Sequence, residues 1–222
     1  MDLLERVHPV ARGLLARVDA TLLSSGAPDD HPIWPLLRGL GALPGEAVDR
    51  LSGITPEALG AAAAPLRDRA DGLRSGTASV PAVAAWRGPA AESFAARWST
   101  LAGHLAGDEE TMAGRLADTA RYLEEVAAWL GRARRELAGA LAECLGSAEA
   151  ATLHAAPDLA APRSRGVVVA AATLGAHVLA AAAEVVEDGQ RVLDAWRDRL
   201  DELRYPVAAP SPTTLGGQLE IA

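Results

Sequence analysis

Ala85-Trp86-Arg87-Gly88-Pro89-Ala90-Ala91-Glu92-Ser93-Phe94-Ala95-Ala96-Arg97-Trp98 separates two long segments whose apolar residues recur at helical spacing. Before it, Leu59, Leu66, Leu73 and Val80 fall seven apart, with Ala63, Ala70, Thr77 and Ala84 four residues after each. After it, Phe94, Trp98, Leu101, Leu105, Met112 and Leu116 step by three, four or seven. One apolar stripe on each side of a Gly-Pro corner predicts two antiparallel helices joined by a tight turn. Gly88 supplies backbone angles closed to other residues, and Pro89 suits the first turn of the following helix. Glu92 then lies where a negative charge complements the helix dipole. Trp86, Phe94 and Trp98 are candidates either for the core or for gripping a partner, and both uses are open.

Trp86-x-Gly88 between two amphipathic helices, followed by Ala90-Ala91 and Phe94, resembles the WxG family of helical-hairpin proteins. Ile54-Thr55-Pro56-Glu57-Ala58-Leu59 is similar to the usual opening of that family's first helix, so the likeness covers about residues 54 to 130. The resemblance implies a protein handled by the type VII (ESX) secretion system of actinobacteria and related Gram-positive bacteria. It also implies Trp86, Gly88, Phe94 and Trp98 as the partner-binding motif. The family's export signal is Tyr-x-x-x-Asp/Glu. Here Tyr122 has its acid at Glu125, one position early, with Val126 in the fourth place, which makes the pair a degenerate version. The chain also departs from the family in length, and in Pro65 and Pro81, which are expected to interrupt the first helix.

With 222 residues, half of them apolar but only 4% aromatic, the chain has a core to be built from Ala, Leu and Val. All 21 basic residues are arginine, and neither lysine nor asparagine occurs. That bias follows from GC-rich codons and agrees with a high-GC, actinobacterial source. A net charge of -8 argues against nucleic-acid binding. The cluster Arg132, Arg134 and Arg135 reads as a solvated helix face. Cys144 is the only cysteine, which excludes an intramolecular disulfide, and its place after Leu137 and Leu141 assigns it to the core. Asp2, Glu5 and Arg6 break up the start, so no signal peptide is expected and any export would be signal-peptide independent. The alternative location is the cytoplasm.

The expected architecture is all-α, an elongated antiparallel bundle around the hairpin. Residues 1–53 form an N-terminal helix with short capping helices. Its stripe is Leu3, Val7, Val10, Leu14, Val18 and Leu22; Pro9 kinks it or starts a fresh helix, and Trp34 plugs the cap. Residues 54–155 form the hairpin, with a second helix extended to about residue 152 and a bend or break expected near Gly107-Asp108 or Gly131. Residues 163–205 form a long helix packed on the hairpin, and 206–222 a flexible tail. Gly166 to Val186, in which Glu184 is the one charged residue, is long enough for a membrane span. Its Ala content and its continuation into charged sequence favour a buried helix instead, with His177 a satisfied core histidine.

No chemistry-bearing pattern emerges. The histidines (His8, His31, His104, His154, His177) have no metal-ligand spacing, a phosphate loop is impossible without lysine, and no nucleophile elbow occurs. Asp108-Glu109-Glu110, Glu124-Glu125 and Asp198-Asp201-Glu202 read as solvated faces. The expectation is therefore a non-enzyme with no cofactor and no metal, a substrate or accessory of type VII secretion acting by protein–protein recognition. Its partners would be another helical protein (self, WxG-like or effector) and the secretion ATPase. The alternatives are a cytosolic chaperone or adaptor for an effector or toxin, and a membrane-anchored component using residues 166–186.

Overall fold

A computed structural model of the chain describes residues 2–80, 86–107, 110–156 and 164–203. Every regular element among them is an α-helix: α1 (Leu3–Ser25), α2 (Ile33–Leu40), α3 (Pro44–Ser52), α4 (Pro56–Ser79), α5 (Pro89–Ala106), α6 (Met112–Leu145), α7 (Ala148–Ala155) and α8 (Arg165–Leu203). The expected all-α helical bundle is present. The expected C-terminal tail, 206–222, lies outside the described residues, as does the joint around Pro157 to Pro162.

The chain divides into a thick bundle and a thin arm, joined by α6 and α8, which run antiparallel through both. In the bundle, α1 lies in the groove between the C-terminal half of α6 and the N-terminal half of α8, while α2, α3 and α7 close its sides. Leu4, Leu14, Val18, Ile33, Val48, Leu137, Leu141, Leu153, Leu174 and Val178 belong to this core, and no residue of α4 or α5 does. Gly175 permits the close approach of the short helices. A methyl group there would meet the Ile33 side chain at 2.9 Å and Pro44 at 3.1 Å.

Local chemistry explains the ends. The Asp2 carboxylate accepts the Glu5 N–H at 2.9 Å while Glu5 accepts the Asp2 N–H at 3.2 Å, a capping box that starts α1. Helix α1 then runs unbroken past Pro9, whose ring is exposed, so the expected break is absent. Its buried face is also shifted from the expected stripe. Leu4 and Ala11 point inward, whereas Leu3 and Val10 are 46% and 67% exposed. Pro65 likewise sits on the exposed side of an uninterrupted α4. In both cases the ring points to water, and the cost is the missing hydrogen bond rather than a clash with packing.

Along α4 the seven-residue repeat is read out as far as Val80, while Pro81 and Ala84 lie outside the described residues. Ala63 and Ala70 are buried; Leu59, Leu66, Leu73, Thr77 and Val80 are half-buried; the remaining side chains between them are exposed. The helix that this seam covers is α6, which α4 follows antiparallel, with Ile54 near Arg134 and Arg67 paired with Glu124. Helix α5 touches α4 and α6 only lightly and buries no residue. The stripe expected after the corner is thus not core. Phe94, Leu101 and Met112 are 39%, 48% and 39% exposed.

The second long helix is not continuous. Helix α5 ends at Ala106 and α6 starts at Met112, on either side of the expected Gly107-Asp108, of which Asp108 lies outside the described residues; α6 in turn gives way to α7 at Gly146-Ser147. Thr111 accepts the Gly114 N–H at 3.3 Å, starting α6, and the Ser147 hydroxyl accepts the Ala150 N–H at 3.1 Å, starting α7. Gly131 lies within α6 and breaks nothing.

Candidate functional site

The corner is built by Gly88, whose φ of +107° lies in the region open to glycine. Pro89 occupies the first turn of α5. Trp86 precedes the corner, 45% exposed, with its ring 5.7 Å from that of Phe94 at 47°. Two tilted aromatic rings at that separation attract each other, which keeps the pair together at the surface. Trp98 is half-buried. Of the four motif residues, the structure therefore brings Trp86, Gly88 and Phe94 together on an exposed edge.

Tyr122 and Glu125 lie elsewhere, on the α6 face that meets α8. The Tyr122 ring packs 5.6 Å from Trp196, and Trp196 Nε1 donates to Glu125 at 2.6 Å. Trp196 is 8% exposed. One turn away, Arg199 Nε donates to Asp118 at 2.8 Å, and Trp129 Nε1 donates to the Val185 carbonyl at 3.1 Å. Gly189 leaves room for that indole, since a Cβ would fall 2.6 Å from Trp129. The residues expected to form an export signal thus help hold α6 to α8. Sequence reading missed Asp118, Trp129, Gly189 and Arg199. The signal was available in two tryptophans on facing stripes, each needing an acceptor for its N–H.

Arg134 corrects the expectation of a solvated basic face. It is 1% exposed and pairs with Asp2, and its Nη1 donates to the carbonyls of Ser52 and Ile54, both at 2.9 Å, and of Leu51 at 3.2 Å. The Arg134 guanidinium holds the Asp2 carboxyl below its ordinary range, and Asp2 raises Arg134 in return. A planar five-donor group is what the frayed end of α3 requires, since its last carbonyls lack partners within the helix. Arg132 and Arg135 are exposed, as expected.

A shallow cleft at Glu143, Cys144, Ser147, Thr173, Leu174 and His177 has a volume of about 230 Å³. His177 is not a core histidine, for its side chain is 46% exposed and lies 3.0 Å from Glu143. Burial pushes the Cys144 thiol up to about 11, so it stays protonated and non-nucleophilic at neutral pH. Among the described residues no group of three His, Cys, Asp or Glu side chains could hold a metal ion. An apolar groove of about 250 Å³ runs between α6 and α8, lined by Tyr122, Val126, Trp129, Val186, Gly189 and Leu193.

Helix α8 is long and apolar enough to cross a membrane, yet half of its most apolar stretch is buried inside the bundle. Comparison of the chain with family models, with curated proteins and with solved structures finds no match in any of the three.

Proposed function

We propose that the protein is a non-enzymatic recognition protein, a helical substrate or accessory of a type VII secretion system related to the WxG family. The supporting observation is the exposed Trp86–Phe94 pair, fixed at a glycine corner and backed by an amphipathic helix that buries none of its residues. Large aromatic side chains held rigidly at a surface lose little conformational entropy on binding, and they are the residues that dominate docking energies. In this reading the corner, rather than a cleft, does the work, and WxG hairpin geometry completes itself when a partner covers α5. The Cys144 thiol, kept protonated by burial, is not an activated nucleophile.

The experiment is export from a host carrying a type VII system, with and without its secretion ATPase. The chain is expected in the supernatant only when the ATPase is present. Trp86→Ala should reduce export while leaving helical content and unfolding midpoint unchanged, because the side chain is exposed. Retention in the cell regardless of the ATPase would favour the cytosolic chaperone or adaptor instead. A requirement for detergent would favour the anchored component, though half-burial of the apolar stretch of α8 speaks for the bundle.

A further inference from the structure

Helix α3 joins the bundle to the arm, for its last residue, Ser52, is soon followed by Pro56, the first of α4. It buries only Pro44, Ala47 and Val48, and so short a helix has little stability of its own. Polar contacts therefore weigh heavily in how firmly it sits. At its start, both Asp19 carboxylate oxygens accept the Gly45 N–H, and a Cβ at Gly45 would collide with Asp19 Oδ2. Further along, Asp49 Oδ1 lies 3.0 Å from His8 Nε2, a nitrogen shut off from solvent and not aligned for a hydrogen bond. At its end, Arg134 Nη1 donates to the carbonyls of Leu51 and Ser52. The first two contacts join ionisable side chains of α1 to α3, whereas the arginine keeps its charge throughout.

Asp19 lies under the α3 backbone, and the charges that act on it, Glu46 and Asp49, are both carboxylates of α3. Arg17, on the same stretch of α1, is engaged elsewhere and donates to the Leu153 carbonyl of α7 at 2.9 Å. Helices α6 and α8 meet α1 through Leu141, Cys144, Leu174 and Val178, of which the buried thiol stays protonated. Burial and the two carboxylates move the Asp19 titration from 3.8 up to about 6. Once protonated, its remaining carbonyl oxygen still accepts the Gly45 N–H. Histidine changes charge between about pH 5 and 8, and an imidazolium at His8 would face Asp49. The other acids at that end of α1, Asp2 and Glu5, pair with Arg134. Both protons thus act in one direction, drawing α1 and α3 together. An imidazolium beside Asp49 also weakens the negative field on Asp19, so uptake is spread over a range rather than gathered in one step.

We propose that α3 is a proton-operated clasp at the root of the arm: acid holds it on α1, and at neutral pH it opens as a unit while the rest of the bundle stays folded. Opening lifts Gly45 off Asp19 and Leu15, and Pro44 off the notch at Gly175. It also frees the start of α4, whose Ile54 carbonyl shares the Arg134 donor. Local opening of this kind is expected of an element with few buried apolar side chains. The inference does not depend on export, because it is read on the purified full-length chain.

The test is amide hydrogen exchange near pH 7.5 and near pH 5, expressed as protection factors so that the intrinsic pH dependence of exchange drops out. At the higher pH, α3 amides are expected to be less protected than those around Ala171 of α8. Their protection should rise about tenfold at the lower pH, the factor that follows for a carboxyl moved from 3.8 to about 6. Asp19→Asn keeps an acceptor for Gly45 and removes the charge, so α3 should hold its acid-state protection at both pH values. Any small response that remains should vanish when His8→Gln is added. Amides of α3 as protected as those around Ala171 at both pH values would mean that α3 leaves only with the whole bundle, and would overturn the proposal. So would wild-type protection indifferent to pH, or a tenfold rise that survives in the Asp19→Asn, His8→Gln double variant.

Discussion

The bundle and the arm share α6 and α8, yet one has a core and the other a seam. In the bundle, α6 and α8 are joined by α1, α2, α3 and α7, so leucines at facing positions are surrounded. In the arm, α4 follows α6 on one side with only Ala63 and Ala70 buried, and α8 meets it on another through tryptophan against carboxylate. Hydrophobic stabilisation scales with the apolar area removed from water, so fully covered leucines outweigh half-covered ones. What differs between the regions is the number of neighbours available to each stripe.

The largest effect should come from the junction. Arg134→Ala leaves the Asp2 carboxylate and three carbonyls around Arg134 without their donor, and a loss of about 4 kcal/mol is expected in urea unfolding. A loss below about 1 kcal/mol would mean that water replaces the guanidinium and that the two regions are not clamped there. Next comes Leu137→Ala, at a fully buried position, with about 3 kcal/mol lost. Leu101→Ala, the same chemistry in the arm, should cost less than about 0.5 kcal/mol at concentrations where the chain is monomeric. Equal costs for these two would erase the contrast.

Between them falls a pH effect confined to the bundle. Both Asp19 carboxylate oxygens accept the Gly45 N–H, at 3.2 and 3.1 Å, tying α1 to the start of α3. Burial nevertheless pushes the group up to about 6, helped by the nearby charges of Glu46 and Asp49. A carboxyl raised in the folded state contributes stability that is present below its unfolded value of 3.8 and lost as pH rises through about 6. Its unfolding free energy should therefore rise by about 1 kcal/mol from pH 7 to pH 4.5, and Asp19→Asn should flatten that slope. Asp2 acts in the opposite sense. Its lowered carboxyl contributes stability present above 3.8 and lost as pH falls below it. A curve falling steadily from pH 7 downward would show that Asp19 is solvated.

Much of the architecture was legible in advance, and the limits have physical causes. The heptad of α4 told which face is covered, because periodicity encodes a face; it could not tell that the covering helix is α6 rather than α5. The seam of α4 is compatible with either neighbour, and a repeat of seven does not say which helix it meets. Pro9 and Pro65 were overweighted because a proline ends a helix only when its ring or its missing donor faces packing. Arg134 was misread because a run of arginines looks solvated unless the carbonyls awaiting one of them are known. At the candidate site the corner geometry of Gly88 and Pro89 followed directly from residue type. The union of Glu125 with Trp196 did not, since it joins residues 71 positions apart.

Helix α8 has a last consequence. Its 39 residues form one uninterrupted rod, about 58 Å long at ~1.5 Å per residue, with its first half among leucines and its second against the arm. A rod embedded along one half and tied to α6 by Trp196 and Arg199 along the other behaves as a single beam. Amide hydrogens near Ala171 should exchange only on global unfolding, those near Leu200 by fraying, with a smooth gradient between them. Whatever settles on its second half would slow exchange there and would be felt at the root, with no break in the helix to absorb it.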